Sequence, residues 1–122
     1  MFDHIGFSVA DLPASRAFYE AALAPLGVGV AADFGETIGL GRDGRPQFWL
    51  GAGGKPAGRL HLAFAAANRQ DVRAFHAAAL KAGTKDNGGP GLRPAYHPNY
   101  YGAFVIDLNG HNIEAVCHSP EA

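Results

Sequence analysis

Residues 4–23, HIGFSVADLPASRAFYEAAL, recur without a gap 57 positions later as residues 61–80, HLAFAAANRQDVRAFHAAAL. Nine of the 20 aligned pairs are identical, His4/His61, Phe7/Phe64, Arg16/Arg73 and Leu23/Leu80 among them. Asp11 aligns with Asn68, and both are residue types that cap helix N-termini. A self-match this dense means one supersecondary unit used twice, so the fold has to be assembled from two similar halves. Each half opens with a histidine.

The pattern within each copy defines the unit. Residues 2–10 alternate as a strand does, with Ile5, Phe7 and Val9 on one face and His4, Gly6 and Ser8 on the other. Asp11 then caps a helix over 13–24, whose Phe18, Ala22 and Leu23 share an apolar face; Pro25 and Gly27 stop it. Three short strands follow at 28–32, 36–41 and 46–51, the last two joined by an Asp43-Gly44 hairpin turn. In the second copy Leu62 and Phe64 lie opposite His61, Ala63 and Ala65, and Asn68 with Asp71 resembles a capping box. Its helix runs to Ala82 and ends at Gly83. Residues 83–101, GTKDNGGPGLRPAYHPNYY, read as a long loop, the kind that serves as a lid, a binding loop or a disordered segment. A strand at 102–108, a type I′ turn at Asn109-Gly110 and a strand at 111–117 complete this half, the loop replacing or surrounding its second strand. The expected fold is α+β: two βαβββ modules, 1–51 and 60–118, in one domain spanning 1–122, with a Gly- and Pro-rich linker at 52–59.

Composition then narrows the function classes. Charged residues are 17% of the chain and apolar ones 48%, lean in charge for so small a protein, which points to surface hidden in a partner subunit. A net charge of −1 without a basic run argues against nucleic acid and membrane surfaces as partners. The single cysteine, Cys117, rules out an internal disulfide and makes a reducing cytoplasm the default. MFDHIGF is not a secretion signal, and no 18-residue apolar stretch suits a membrane span.

Three residues stand out chemically. His4 and His61 sit at matched strand positions among small same-face neighbours, Gly6, Ser8, Ala63 and Ala65, which leaves volume for a ligand. Glu114 lies in a strand with Ile113, Ala115 and Val116; unless it faces outward from an edge strand, such a carboxylate has to be paired or bind a metal. Two imidazoles and one carboxylate suit a catalytic divalent metal with open coordination positions.

DHIGFSVADLPASRAFY, the histidine-led strand before AFHAAAL, and FVIDLNGHNIEAV near the end resemble the vicinal oxygen chelate superfamily, that of glyoxalases, bleomycin resistance proteins and extradiol dioxygenases. The resemblance covers essentially the whole chain. It implies paired βαβββ modules whose eight strands form a curved sheet around a metal, with ligand positions falling on His4, His61 and Glu114. One divalent ion per site is implied, and histidine and carboxylate ligands suit Zn, Ni, Fe or Mn. The implied chemistry is lyase- or isomerase-like: the metal takes two neighbouring oxygens of a small-molecule substrate and stabilises an oxyanion or enediolate. Glyoxalase I also supplies a fourth ligand, a glutamate from the first module. Aligning the two hairpin turns sets Phe48 opposite Glu114, with Gln47 or Trp49 one register away. No carboxylate is available there, so the chain resembles a three-ligand member, with Phe48 and Trp49 as pocket wall.

Other residues of this reading are less sharply assigned. Tyr96, His97, Tyr100, Tyr101 and His118 are candidates for a general base, and tyrosine hydroxyls with Arg93 or Lys85 could orient an anionic substrate. Cys117 and His111 fall on the face away from Glu114, and His76, aligned with Tyr19, reads as structural. Two rival functions remain: a metal-free, drug-sequestering binding protein, and a thiol transferase acting on an antibiotic. The eight-residue linker 52–59 spans at most about 28 Å, so the modules could close on each other or on those of a second chain. Low charge content and the resemblance to short family members favour a homodimer with sites shared between chains.

Overall fold

Both helices start where an Asx side chain takes up an orphan backbone N–H. The Asp11 carboxylate accepts from the Ala14 N–H at 3.0 Å and the Asn68 amide oxygen from the Asp71 N–H at 2.8 Å. In the computed structural model, which describes residues 2–56 and 58–121, these caps follow the first strand of each half. Met1, Ala122 and Ala57 of the expected linker lie outside the described residues. The first half runs β1 (Ile5–Ser8), α1 (Leu12–Leu23), a 3₁₀ turn (Ala24–Leu26), β2 (Gly29–Asp33), β3 (Thr37–Gly41) and β4 (Phe48–Gly51). The second runs β5 (His61–Ala65), α2 (Arg69–Lys81), β6 (Lys85–Leu92), β7 (Tyr101–Ile106) and β8 (Asn112–Cys117).

The strand orders are β1-β4-β3-β2 and β5-β8-β7-β6, the same topology twice, with the first strand parallel to the last and the others antiparallel. The fold is α+β. Its eight strands form two four-stranded sheets; among the described residues no ladder joins β1 to β5. Side chains hold the halves together instead. The helices pack on each other, Phe48 meets Phe64 edge-on at 5.3 Å and Phe7 meets His111 at 4.8 Å. Arg42 donates to the carbonyls of Leu26 and Ala65, one in each half. The Tyr19 hydroxyl donates to the buried Asp107 carboxylate at 2.5 Å.

The core lies between helices and sheets. Phe18, Tyr19, Ala22 and Leu23 of α1 are buried, as are Ile38, Leu40 and Leu50; Val72, Phe75 and Ala79 of α2 are buried, as are Ala103, Val105, Ile113 and Ala115. Each large side chain so buried contributes about 1.5–3 kcal/mol. The opposite face of each sheet is left for chemistry.

Two local expectations change. Residues 83–101 are not all loop, because β6 occupies Lys85–Leu92 despite its three glycines and a proline. It is the edge strand of its sheet, and the register skips from Gly88↔Phe104 to Gly91↔Gly102, so Pro90 sits in a bulge where no N–H is demanded. The second change is at Asn109-Gly110. The Asp43-Gly44 pair has the two positive φ values of a type I′ turn, 53° and 71°, whereas of the second pair only Gly110 is positive, at 86°. There the Asp107 carboxylate accepts from the Asn109 and His111 N–H groups and imposes a wider turn.

Candidate metal centre

Glu114 is at the middle of β8, with Ala63 of β5 on one side and Phe104 of β7 on the other. Its side chain is 1% exposed. Gly102 makes room for it: a Cβ there would stand 3.0 Å from Glu114 Oε2. A buried carboxylate requires partners, and two are present. Oε2 accepts a short hydrogen bond from the Tyr100 hydroxyl, and Oε1 stands 3.2 Å from His61 Nε2. Burial, followed by this carboxylate, pushes the Tyr100 hydroxyl up to about 12.

The other ring nitrogen fixes how the histidine faces Glu114. His61 Nδ1 lies 3.1 Å from the Asn112 carbonyl oxygen. A carbonyl only accepts, so Nδ1 carries a proton and Nε2 is the ring nitrogen that faces Glu114. The 3.2 Å between Nε2 and Oε1 suits a shared proton or a metal cation held by both. The donor set, imidazole nitrogen plus carboxylate, fits a divalent transition metal. The His61 ring also lies nearly parallel to Phe104, 6.2 Å between centroids, and the Arg93 guanidinium is 5.4 Å from the same Phe104 ring.

His4 is not part of this group. It precedes β1 rather than lying in it, and is exposed, with Nδ1 2.7 Å from Asp3 Oδ1. It shares with His61 an open cleft of about 410 Å³ that Asp3 and Gln47 also line. Among the described residues no three His, Cys, Asp or Glu side chains stand close enough to hold one ion.

The remaining expected residues divide by face. Tyr96, His97, Tyr100 and His118 form one aromatic cluster beside Glu114, Tyr100 standing 5.1 Å from both Tyr96 and His118, and His97 5.7 Å from His118. Tyr101 points to the helix side, where Arg73 donates to its hydroxyl at 3.2 Å. Phe48 is 4% exposed, packed between Phe7, Tyr19 and Phe64, and walls no pocket on the Glu114 face. The ladder also corrects the register. Gly6 and Gly39 flank Trp49 as Ala63 and Phe104 flank Glu114, so Trp49, not Phe48, is the counterpart of Glu114. Trp49 lies across Gly39, where a Cβ would fall 2.9 Å from its ring. Phe34, 75% exposed, stacks on it at 6.0 Å and 8°. Reading the sequence left out Phe34 and Phe104. Phe104 was accessible from strand parity, two residues from Gly102 and opposite Glu114, while Phe34 sits in a turn that carries no periodic signal.

Known proteins share this architecture. A family model described as the Glyoxalase/Bleomycin resistance protein/Dioxygenase superfamily matches residues 1–115. A glyoxalase/bleomycin resistance protein from Albidiferax ferrireducens T118 is 30% identical, with 96% of this chain and 98% of that one covered at a TM-score of 0.84. A glyoxalase/bleomycin resistance protein/dioxygenase family enzyme from Burkholderia phytofirmans PsJN shares the fold at 15% identity, 96% and 98% coverage and a TM-score of 0.73. A glyoxalase-related enzyme from Fulvimarina pelagi does so at 19% identity, 96% and 87% coverage and a TM-score of 0.73. Comparison with curated proteins found no match. No helix among the described residues is long and apolar enough to cross a membrane. With the family model spanning nearly its whole length, the chain belongs to the glyoxalase/bleomycin resistance protein/dioxygenase superfamily.

Proposed function

We propose that the chain is a small-molecule enzyme using one divalent cation per site, held by His61 and Glu114 with His4 from a second copy of the chain. The observation that carries this reading is His61 Nε2 facing a buried carboxylate oxygen 3.2 Å away, with Nδ1 engaged by the Asn112 carbonyl. A divalent ion bound there, Zn, Ni, Fe or Mn, supplies Lewis acidity toward two neighbouring oxygens of a substrate. The Tyr100 hydroxyl holds Oε2 of Glu114 and leaves Oε1 directed at His61. Arg93 stands over Phe104 as the cation for an anionic substrate. His97 and His118 at the rim are the nitrogen bases within the aromatic cluster. His4 is prepared as a ligand, since Asp3 occupies its Nδ1 and leaves Nε2 free.

The dimer follows from His4's position. Phe2 is 77% exposed, Ile5 38% and Phe34 75%, an apolar surface beside His4 and Trp49 that a second copy would cover. A two-fold axis that sets the first module of each copy on the second module of the other gives two equivalent sites per dimer. Metal analysis of untagged protein tests the first claim: about one ion per chain is expected, and Glu114→Gln should lose it. Mixing tests the second. His4→Ala and Glu114→Ala should each be empty, and their heterodimer should regain one site, because one site collects both lesions. A heterodimer as empty as its parents places all ligands in one chain.

A second reading, a metal-free binder of flat apolar drugs, is favoured by one observation, the exposed Phe34–Trp49 stack. Folded protein without metal that binds such a compound, and loses it in Phe34→Ala, would replace the enzyme reading.

A further inference from the structure

On the helix side of the second sheet, away from Glu114, Arg69 and Arg73 lie one turn apart on α2. Both guanidinium groups sit near the Tyr101 ring, at 5.2 and 5.7 Å from its centroid, and Arg73 also donates to the Tyr101 hydroxyl at 3.2 Å. Two like charges side by side call for anionic compensation. Among the described residues they receive one carboxylate, Glu121, with Oε2 3.6 Å from Arg69 Nη1 and Oε1 3.7 Å from Arg73 Nη2. Those separations exceed hydrogen-bond length. Arg69 Nε is buried with no hydrogen-bond partner, although that side chain is only 14% exposed. Between the arginines and the segment that follows β8 is a cavity of about 310 Å³, which Asn68, Gln70 and Ser119 also line.

We propose that this cavity binds a phosphate group, free or as a monoester, and that Glu121 is the internal occupant the ligand displaces. The charge balance is the reason. Among the described residues two guanidinium groups face one carboxylate, and a phosphate dianion offers acceptors to both planar forks. The ring face of Tyr101 keeps the forks in place when Glu121 leaves. Glu121, 55% exposed and at ion-pair rather than hydrogen-bond distance, is free to swing into solvent. Nothing in this site touches the metal centre, so it stands whether or not the enzyme reading does.

The test titrates the full chain with inorganic phosphate and, separately, with methyl phosphate, at constant ionic strength, following the Arg69 Nε–H resonance. Millimolar affinity is expected for the wild type. Glu121→Gln, which removes the competing charge, should bind about fivefold more tightly, and Arg73→Met should not bind. Tighter binding of methyl phosphate marks an ester as the ligand; tighter binding of inorganic phosphate marks the free ion. Arg73→Lys, which keeps the Arg69 Nε–H and the charge but loses the planar fork, serves if Arg73→Met melts early, and weaker binding there supports the site equally. No shift of Arg69 Nε–H up to about 50 mM phosphate, or equal affinity in wild type and Glu121→Gln, overturns the proposal.

Discussion

Replacing Tyr19 by Phe isolates one oxygen atom. Tyr19 is 0% exposed and Asp107 5%; their 2.5 Å hydrogen bond ties α1 of the first half to the turn that leads into β8 of the second. Phe fills the same volume, so no cavity term enters. Asp107 Oδ1 keeps the N–H groups of Asn109 and His111, while Oδ2 loses its donor in a place water does not reach. A buried hydrogen bond to a charged group left unmade costs about 2 kcal/mol, which at this length lowers Tm by roughly 6–10 °C. Alkaline pH adds a second, opposed signature. Burial first, then the Asp107 charge and hydrogen bond, raises the Tyr19 hydroxyl well above the ordinary tyrosine value of 10.0. A raised value means stability that is complete below pH 10 and lost as pH climbs beyond it, by about 1.4 kcal/mol per pH unit, because only the unfolded chain ionises. Phe has no such loss. The gap between wild type and Tyr19→Phe should therefore shrink from about 2 kcal/mol at pH 8 to about 0.6 at pH 11. Urea unfolding at the two pH values measures it, with Tyr96→Phe, at a 67% exposed position, as the control. A gap below about 0.5 kcal/mol at pH 8, or one that widens with pH, would refute the reasoning.

Tyr100→Phe should cost about 1 kcal/mol, less than Tyr19→Phe because the Tyr100 site is half-buried and water can replace the hydroxyl; in the wild type the Tyr100 ring carbon should titrate near pH 12 by NMR, and titration near pH 10 would show the Glu114 contact is absent. Gly39→Ala puts a methyl 2.7 Å from Pro46 Cβ and 2.9 Å from the Trp49 ring, which should lift the ring, red-shift the emission of this single tryptophan and cost about 1–3 kcal/mol; an unchanged spectrum at unchanged Tm would contradict the packing. The Asp86 carboxyl is held below the usual carboxylate range by the Gly88 N–H first and His76 second, so its contribution is present above pH 3.8 and disappears as pH falls through the lowered value. Amide protection factors in Lys85–Leu92, corrected for the intrinsic pH dependence of exchange, should accordingly fall on acidification in the wild type and be low in Asp86→Asn at every pH; equal protection at neutral pH counts against the clamp.

The repeat made the two βαβββ halves legible, because identical spacing in two places is hard to produce by anything but a repeated unit. Strand parity likewise separated Glu114 from its apolar neighbours and put His111 and Cys117 on the other face. What parity could not supply was register between strands. Phe48 and Trp49 are consecutive, so a one-residue error exchanges a core residue for a surface one, and the extra residue after the Asp43-Gly44 turn, where Gln47 and Phe48 both face Leu40, is what makes matching by turns miscount by one. Tyr100 and Tyr101 pose the same problem in a loop with no alternation to read, and they face opposite sides of β7. The strand β6 was hidden by composition, since glycine and proline are tolerated at a bulged edge for reasons of hydrogen-bond accounting that a propensity scale does not contain.

The exchange of Glu114 for Trp49 across the pseudo-symmetry has a consequence for recognition between copies. A duplicated chain with identical faces has no way to tell its own front from its back: like can pair with like, and head-to-tail stacking can run on without closing. Here one face offers a carboxylate recessed beside an imidazole and the other an aromatic plate. Like faces brought together would set His4 against His4, or Glu114 against Glu114, and would not complete the proposed ligand set. The proposed shared site requires unlike faces, and a two-fold axis that joins unlike faces twice closes on itself. In the proposed dimer, the difference between Trp49 and Glu114 at corresponding positions is what distinguishes the two faces.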